Sequence, residues 1–190
     1  MSEAESALPG AVLEGLVRIE EAGLRGMVTL RADLAEAKVR KAVKAAVGLD
    51  LPATRRAVFD GGRGALWMSP DELLLLMPHG EAEAAVASLS VALGGVHHLM
   101  AEVSDARAVF RLTGDLDVVR EVLAKLTPAD LSPGAFAEGE VRRTRLGEAA
   151  AAFWIEEGGV TVVAFRSVAR YVFDLLSNAA APGSAVGYWS

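Results

Sequence analysis

Ala65-Leu66-Trp67-Met68-Ser69-Pro70-Asp71-Glu72-Leu73-Leu74-Leu75-Leu76-Met77-Pro78 reads as an apolar strand, a polar corner and a second apolar strand. Ser69 and Pro70 suit a turn, because proline presets φ and a serine hydroxyl bonds the nearby backbone. Leu73 to Met77 is far too short to span a bilayer and shows no alternation, which predicts a strand buried on both faces. The tract as a whole predicts a core hairpin in an antiparallel sheet, with Asp60-Gly61-Gly62-Arg63-Gly64 as the turn leading into it.

Toward the N-terminus, Gly23 and Gly26 bracket a turn before a strand at Met27 to Arg31. Leu13 to Ile19 fits two periods at once: Val17 and Ile19 alternate, while Val12, Leu16 and Ile19 keep helical spacing. Asp33 followed by Glu36 has capping-box spacing and predicts a helix to about Val47, with Gly48 as its stop and Pro52 beyond. Toward the C-terminus, Ala85, Val86, Leu89 and Leu93 form one stripe of a helix over Glu81 to Leu93, ended by Gly94-Gly95. Successive strands follow at His98 to Val103 and Ala106 to Thr113, joined at Ser104-Asp105. Gly114-Asp115 opens a helix to Leu126 with Leu116, Val119 and Leu123 facing inward. After a loop over Thr127 to Gly139, strands are expected at Glu140–Leu146, Ala149–Glu156 and Val160–Arg166. Glu157-Gly158-Gly159 suits a hairpin turn between the last two. Ser167 is the expected N-cap of a final helix whose stripe is Val168, Tyr171, Val172, Leu175 and Leu176.

This order predicts an α+β fold of predominantly antiparallel sheet with helices packed on one face. The layout repeats, which suggests two similar halves, about 11–96 and 97–178, within a single domain over 11–178. Residues 1–10 and 179–190 read as a flexible tail and a C-terminal tail ending in Tyr188-Trp189.

A chain of 190 residues buries roughly 70% of its unfolded surface and needs no disulfide or metal staple. It has no cysteine, which excludes thiol catalysis, thiolate zinc sites, iron–sulfur ligation and a disulfide framework. The acidic N-terminus lacks the features of a signal peptide, and no apolar window is long enough for a membrane span, so a cytoplasmic protein without membrane contact is expected. A net charge of −6 argues against a nucleic-acid partner. Lys38, Arg40, Lys41 and Lys44, followed by Arg55, Arg56 and Arg63, form a local exception, read first as a solvated helix face and second as a contact for an acidic partner.

The sequence exposes no catalytic, cofactor-binding or metal site. His97 and His98 are adjacent, and neighbours on a strand point to opposite faces, so they are poorly placed to share a metal; His79 sits in a Pro-His-Gly turn. There is no Gly-x-Ser-x-Gly elbow, no Walker loop and no Gly-x-Gly-x-x-Gly after a strand. Asp33 and Asp115 have capping as their simplest role, Asp71 (next to Glu72) and Asp105 sit at turn corners, and Asp130 suits a loop organiser. Arg31, Arg111 and Trp67 stand out as structural positions without a chemical role.

An ordered set of short motifs carries a resemblance. They are Leu30-Arg31-Ala32-Asp33, Gly48-Leu49-Asp50-Leu51-Pro52, and the Ala65 to Glu72 tract. Val103-Ser104-Asp105-Ala106-Arg107, Arg111-Leu112-Thr113-Gly114, Asp130-Leu131 and Phe136-Ala137-Glu138-Gly139 come next. Thr144-Arg145-Leu146, Arg166-Ser167 and Ala169-Arg170-Tyr171 complete the set. Over roughly residues 26–178 the chain resembles the gamma subunit of heterotetrameric sarcosine oxidase. It departs from the family at Met68-Ser69, where Leu-Gly is more usual, at Leu73 in place of Trp, and at Ala32 in place of Gly.

The resemblance implies a fold like the folate-binding domain of the glycine cleavage aminomethyltransferase. It implies a non-catalytic structural subunit, packed against the large subunit and assembled with alpha, beta and delta chains. In such a complex FAD, FMN, NAD and tetrahydrofolate are implied for the partner subunits, with none in this chain. The complex would convert sarcosine and oxygen to glycine, hydrogen peroxide and a one-carbon unit, as formaldehyde or methylene-tetrahydrofolate. The alternatives are a stand-alone folate-binding or aminomethyltransferase-like protein, and a small-molecule or regulatory binding module.

Overall fold

The computed structural model describes residues 4–189. The chain divides into a contiguous unit, Arg25–Ser104, and a discontinuous one built from residues up to Leu24 together with Asp105 onward.

The contiguous unit runs β3 (Gly26–Ala32), α1 (Ala37–Val47), β4 (Ala57–Asp60), β5 (Arg63–Ser69), β6 (Glu72–Met77), α2 (Ala82–Ala92) and β7 (His98–Glu102). Its five-stranded sheet has the order β4-β5-β6-β3-β7, antiparallel throughout. The expected hairpin is β5–β6, and all five residues from Leu73 to Met77 are buried. One residue bulges from it, because Trp67 pairs with Leu73 and Ser69 with Glu72, leaving Met68 over. Helices α1 and α2 share a core with Val28, Leu30, Leu73 and Leu75 on one face of the sheet. Strand β4 (Ala57-Val58-Phe59-Asp60) had no counterpart in the sequence reading, since its four residues are too few to show a period.

Helix α1 starts later than its capping-box spacing suggests. Asp33 Oδ1 accepts the Ala35 amide at 2.9 Å, and the Glu36 amide donates to the Asp33 carbonyl at 3.1 Å. The aspartate thus closes a separate turn, and its side chain competes with helix instead of opening it. Glu36 stands at the N-cap position without a side-chain hydrogen bond.

The discontinuous unit contains β1 (Val12–Glu14), β2 (Arg18–Glu21), β8 (Arg107–Thr113), α3 (Leu116–Ala124), β9 (Val141–Leu146), β10 (Ala149–Glu156), β11 (Gly159–Phe165) and α4 (Ala169–Ala179). Its six strands are ordered β1-β2-β8-β11-β10-β9, again antiparallel. The two-period segment Leu13–Ile19 resolves as strands β1 and β2. Asp115 does cap α3, accepting the Asp117 and Val118 amides. Ser167 does not cap α4: it is exposed inside a short 3-10 turn, and the helix opens at Ala169. The buried stripe is therefore Ala169, Val172, Phe173 and Leu176, while Tyr171 lies 43% exposed.

Glu157 and Gly158 form the β10–β11 turn with φ of 47° and 70°, the type I′ geometry that matches strand twist. A glutamate pays a steric penalty at positive φ, so Glu157→Asn is expected to raise stability by about 1 kcal/mol in urea melts. Gly159 tolerates no side chain, because a Cβ there would meet the Leu112 carbonyl oxygen at 2.6 Å and the Arg111 guanidinium at 3.0 Å. Gly159→Ala is expected to cost about 1–3 kcal/mol by the same measurement.

The two units share one connectivity. β3-α1-β4-β5-β6-α2 corresponds to β8-α3-β9-β10-β11-α4, and the sheet orders β4-β5-β6-β3 and β9-β10-β11-β8 match strand for strand. They differ in the next slot. Beside β3 it is filled by β7, which follows α2; beside β8 it is filled by β2, which comes from the other end of the chain. Division at 11–96 and 97–178 would therefore separate β2 from β8 and β7 from β3.

Residues 5–8, expected in a flexible tail, are tied down. Arg166 donates to the carbonyls of Glu5 at 2.8 Å and Ser6 at 3.1 Å, and Ala7 and Leu8 pack against the core. The first three residues of that expected tail, and Ser190 of the other, lie outside the described residues.

Candidate functional site

The contiguous unit carries an open cleft of about 520 Å³ at the end of β3, lined by Arg31, Ala32, Asp33, Pro70, Asp71, His97, His98 and Leu99. Three segments meet there: the end of β3, the Ser69–Glu72 corner, and the loop entering β7. His97 and His98 both line it, because only His98 belongs to the strand and the opposite-face rule does not reach His97. His98 Nδ1 lies 2.9 Å from the Val96 carbonyl oxygen, which can only accept, so Nδ1 carries the hydrogen.

The other cleft residues brace the scaffold. Arg31 donates to Glu72 at 2.9 Å, and the Thr29 hydroxyl donates to the same carboxylate at 3.2 Å. Hydrogen bonding to Glu72, then the charges of Glu72 and Asp71, raise the Arg31 pKa above its ordinary value. Asp71 Oδ1 accepts the Ser69 hydroxyl at 2.6 Å, and Asp33 closes the turn already described. Among the described residues no group of three or more His, Asp or Glu is arranged to hold a metal.

Arg111 donates to the carbonyls of Glu156 at 2.6 Å and Glu157 at 3.0 Å and to Thr161 Oγ1 at 3.1 Å, clamping the β10–β11 turn. Trp67 is half-buried at the bulge, its amide donating to the Arg56 carbonyl at 3.0 Å. Asp130 Oδ1 accepts the Ser132 amide at 2.9 Å. The Ser132 hydrogen bonds, with help from Arg142, hold the Asp130 carboxyl below its usual range. It organises its loop. On α1, Lys38 donates to the Gly94 carbonyl at 2.6 Å, Arg40 to the Ala35 carbonyl at 2.5 Å, and Lys44 pairs with Asp50 at 2.8 Å.

The strongest polar organisation had no place in the sequence reading. Helix α3 buries five successive residues, Val119 to Leu123, so it is covered on more than one side. On one side the loop over 127–140 wraps Phe136, whose ring lies 5.7 Å from the Arg120 guanidinium and 5.3 Å from that of Arg142. Arg120 donates to the Leu131 carbonyl at 3.1 Å and to that of Phe136, and Arg142 to that of Ala135 and to Glu140 at 2.8 Å. Burial lowers the Arg120 pKa, and the charge of Asp117 opposes that shift.

A second buried charge, Glu121, grips the C-terminal tail. Its carboxylate accepts the amides of Val186, of Gly187 at 2.7 Å and of Tyr188 at 3.3 Å. Lys125 reaches the carbonyls of Ala179 at 3.0 Å and Ser184 at 2.6 Å. Trp189 packs on the core, and Val186 and Tyr188 point outward, 69% and 76% exposed. The only sequence signal was a charged pair, Arg120-Glu121, set inside the apolar spacing of α3.

Residues 31–182 match the sarcosine oxidase, gamma subunit family. The sarcosine oxidase subunit gamma of an Arthrobacter species is 33% identical over 142 residues, 74% of this chain and 68% of that one. Its counterpart from Corynebacterium sp. (strain P-1) is 36% identical over 115 residues, covering 60% of this chain and 55% of the relative. A chain of the heterotetrameric sarcosine oxidase from Corynebacterium sp. U-96, solved with pyrrole 2-carboxylate, superposes with a TM-score of 0.76 at 28% identity, over 86% of this chain and 83% of that one. The glycine cleavage system aminomethyltransferase T from Bartonella henselae shares the fold, with a TM-score of 0.56 at 14% identity over 80% of this chain and 43% of its own.

Proposed function

This chain belongs to the sarcosine oxidase, gamma subunit family, and from that premise we propose that it is a non-catalytic structural subunit of a heterotetrameric sarcosine oxidase, packed against the large subunit. The observation that carries the reading is the superposition on a chain of such a heterotetramer across 86% of the sequence. Residues 11–178 act as one module in this role. The complex oxidatively demethylates sarcosine to glycine, with hydrogen peroxide and a one-carbon unit as the other products. Its flavins, dinucleotide and folate are held by the partner chains, in the cytoplasm.

Two features support a role in assembly. Arg31, Asp33 and Asp71 of the cleft are spent on turns and strand ends, and the buried charges of α3 hold a loop and a tail. The outward apolar side chains Val91 and Leu99 of the contiguous unit and, separately, Val186 and Tyr188 of the discontinuous one suit the apolar interior of permanent subunit contacts. Affinity purification of the tagged chain from its native cells tests the reading, with partner chains identified by mass spectrometry and flavin by its absorbance. A yellow complex with large and medium flavoprotein chains is expected. A colourless solitary chain, in cells that express those flavoproteins, would overturn it.

A further inference from the structure

We propose that the free edge of β7 pairs with the same edge of a second copy of the chain, antiparallel, across a twofold axis at Met100. Strand β7 ends the five-stranded sheet. The Val103 amide donates to the Met27 carbonyl at 2.8 Å, and hydrogen-bonded pairs alternate along an antiparallel ladder, so Ala101 and Leu99 also turn their backbone groups to β3. The amides and carbonyls of His98, Met100 and Glu102 therefore face away from the sheet, and among the described residues no hydrogen bond reaches them. In the other sheet the corresponding position is filled. β2 holds beside β8 the place that β7 holds beside β3, and β1 pairs on the far side of β2, with no counterpart beyond β7.

The other sheet edges are guarded. β1 and β4 have only three and four residues, and β9 carries the exposed Arg143 and Arg145. β7 has no lysine, arginine or proline, pairs with β3 without a bulge, and leaves Leu99 60% exposed. Its own sequence selects a second copy as the occupant. Laid antiparallel on itself about Met100, it sets His98 opposite Glu102 of the second copy, a basic side chain facing an acidic one, and the twofold makes this contact twice. Met100 meets Met100 of the second copy, and Leu99 meets Ala101 of the second copy. His98 Nδ1 stays on the Val96 carbonyl, and Glu102 Oε1 on the Ser104 amide at 2.9 Å, which leaves Nε2 and Oε2 for the cross-chain pair. The same register brings every outward backbone group of one β7 onto a partner in the other. A shift of two residues would leave some of them unpaired and would part His98 from Glu102.

The chain has no cysteine, so introduced thiols report the register in the full-length protein. Leu99→Cys and Ala101→Cys are mixed at high concentration and oxidised. A dimer linked between positions 99 and 101, identified by peptide mass spectrometry, is expected in preference to a homodimer of either variant. Sedimentation of the wild type is expected to show a monomer–dimer equilibrium. Met100→Pro should weaken it at least tenfold and leave the melting of the dilute chain close to wild type, because the amide it removes faces outward on an edge strand. A wild type that stays monomeric to about 1 mM overturns the proposal, as does linkage without preference for 99–101. So does protection of the β7 amides from hydrogen exchange only when the large oxidase subunit is added, which would give this edge to that partner. If Met100→Pro fails to fold, the thiols and the wild-type sedimentation still decide. Those two readouts need no oxidase partner, so they stand apart from the proposed function.

Discussion

Replacing Phe136 with alanine is expected to remove about 3–5 kcal/mol of stability, the range for deleting a large aromatic from a core. Phe136 is fully buried and meets Phe153 edge-on, with ring centroids 5.5 Å apart. The buried guanidiniums of Arg120 and Arg142 both lie against it, each within reach of a cation–π contact. Without the ring, both guanidiniums border a cavity and keep their bonds to the loop carbonyls and their pairs with Asp117 and Glu140. The loss should therefore lie toward the upper end, and Phe136→Leu should recover only part of it. Urea unfolding of both variants measures this directly. A double-mutant cycle with Arg142→Met should return a coupling of about 1 kcal/mol, since removing one cation relieves part of the stress on the other. A total loss below about 1 kcal/mol for Phe136→Ala would show that the ring is not what holds the 127–140 loop.

Glu121→Gln is expected to release the C-terminal tail. Three backbone amides converge on one carboxylate, and a carboxamide offers a single acceptor oxygen while presenting its own donors to the same amides. The hydrogen bond from Val186, followed by those from Gly187 and Tyr188 and the charge of Lys125, outweighs the effect of burial and holds the Glu121 carboxyl below its ordinary value. A carboxyl depressed in the folded state contributes stability above its unfolded value and loses it as the pH falls through the folded one. The tail of the wild type should therefore stay bound at neutral pH and loosen only in acid, below the ordinary carboxylate range. Limited proteolysis and Trp189 fluorescence report the change. The variant should cut rapidly in the tail at neutral pH and show no further acid transition there. Equal resistance of variant and wild type at neutral pH would remove Glu121 from this role.

The elements legible in the sequence were those whose burial follows a local period. Leu73 to Met77 announced a strand covered on both faces, and Glu157-Gly158 marked a tight hairpin through the one residue type that suits positive φ. Helix starts were less legible, because Asp33 and Ser167 are good caps by chemistry, yet the backbone around each turns before it becomes helical. The charges on α3 were illegible for a different reason. Arg120 and Glu121 are buried by a loop and a tail distant in sequence, and no periodicity within the helix encodes a cover that arrives from outside it. The cleft was legible in part: its turn residues stood out, but its two histidines were assigned to opposite faces of a strand that begins only at His98.

Strand β2 also sets a timetable for synthesis. β2 is translated long before β8, and between Glu21 and Thr113 the ribosome adds the whole contiguous unit. At about 5–20 residues per second, β2 waits roughly 5–20 s for the edge it will pair with. Throughout that interval Val17 and Ile19 have no core to enter, while the contiguous unit already holds every strand of its own sheet. The nascent chain thus carries an unpaired apolar segment ahead of a unit whose sheet is already complete, and it is during translation that this segment is most open to capture by chaperones. A gene rearranged to begin at Arg25, with residues 4–24 re-encoded after the tail through a flexible linker, would abolish the wait and make both units contiguous.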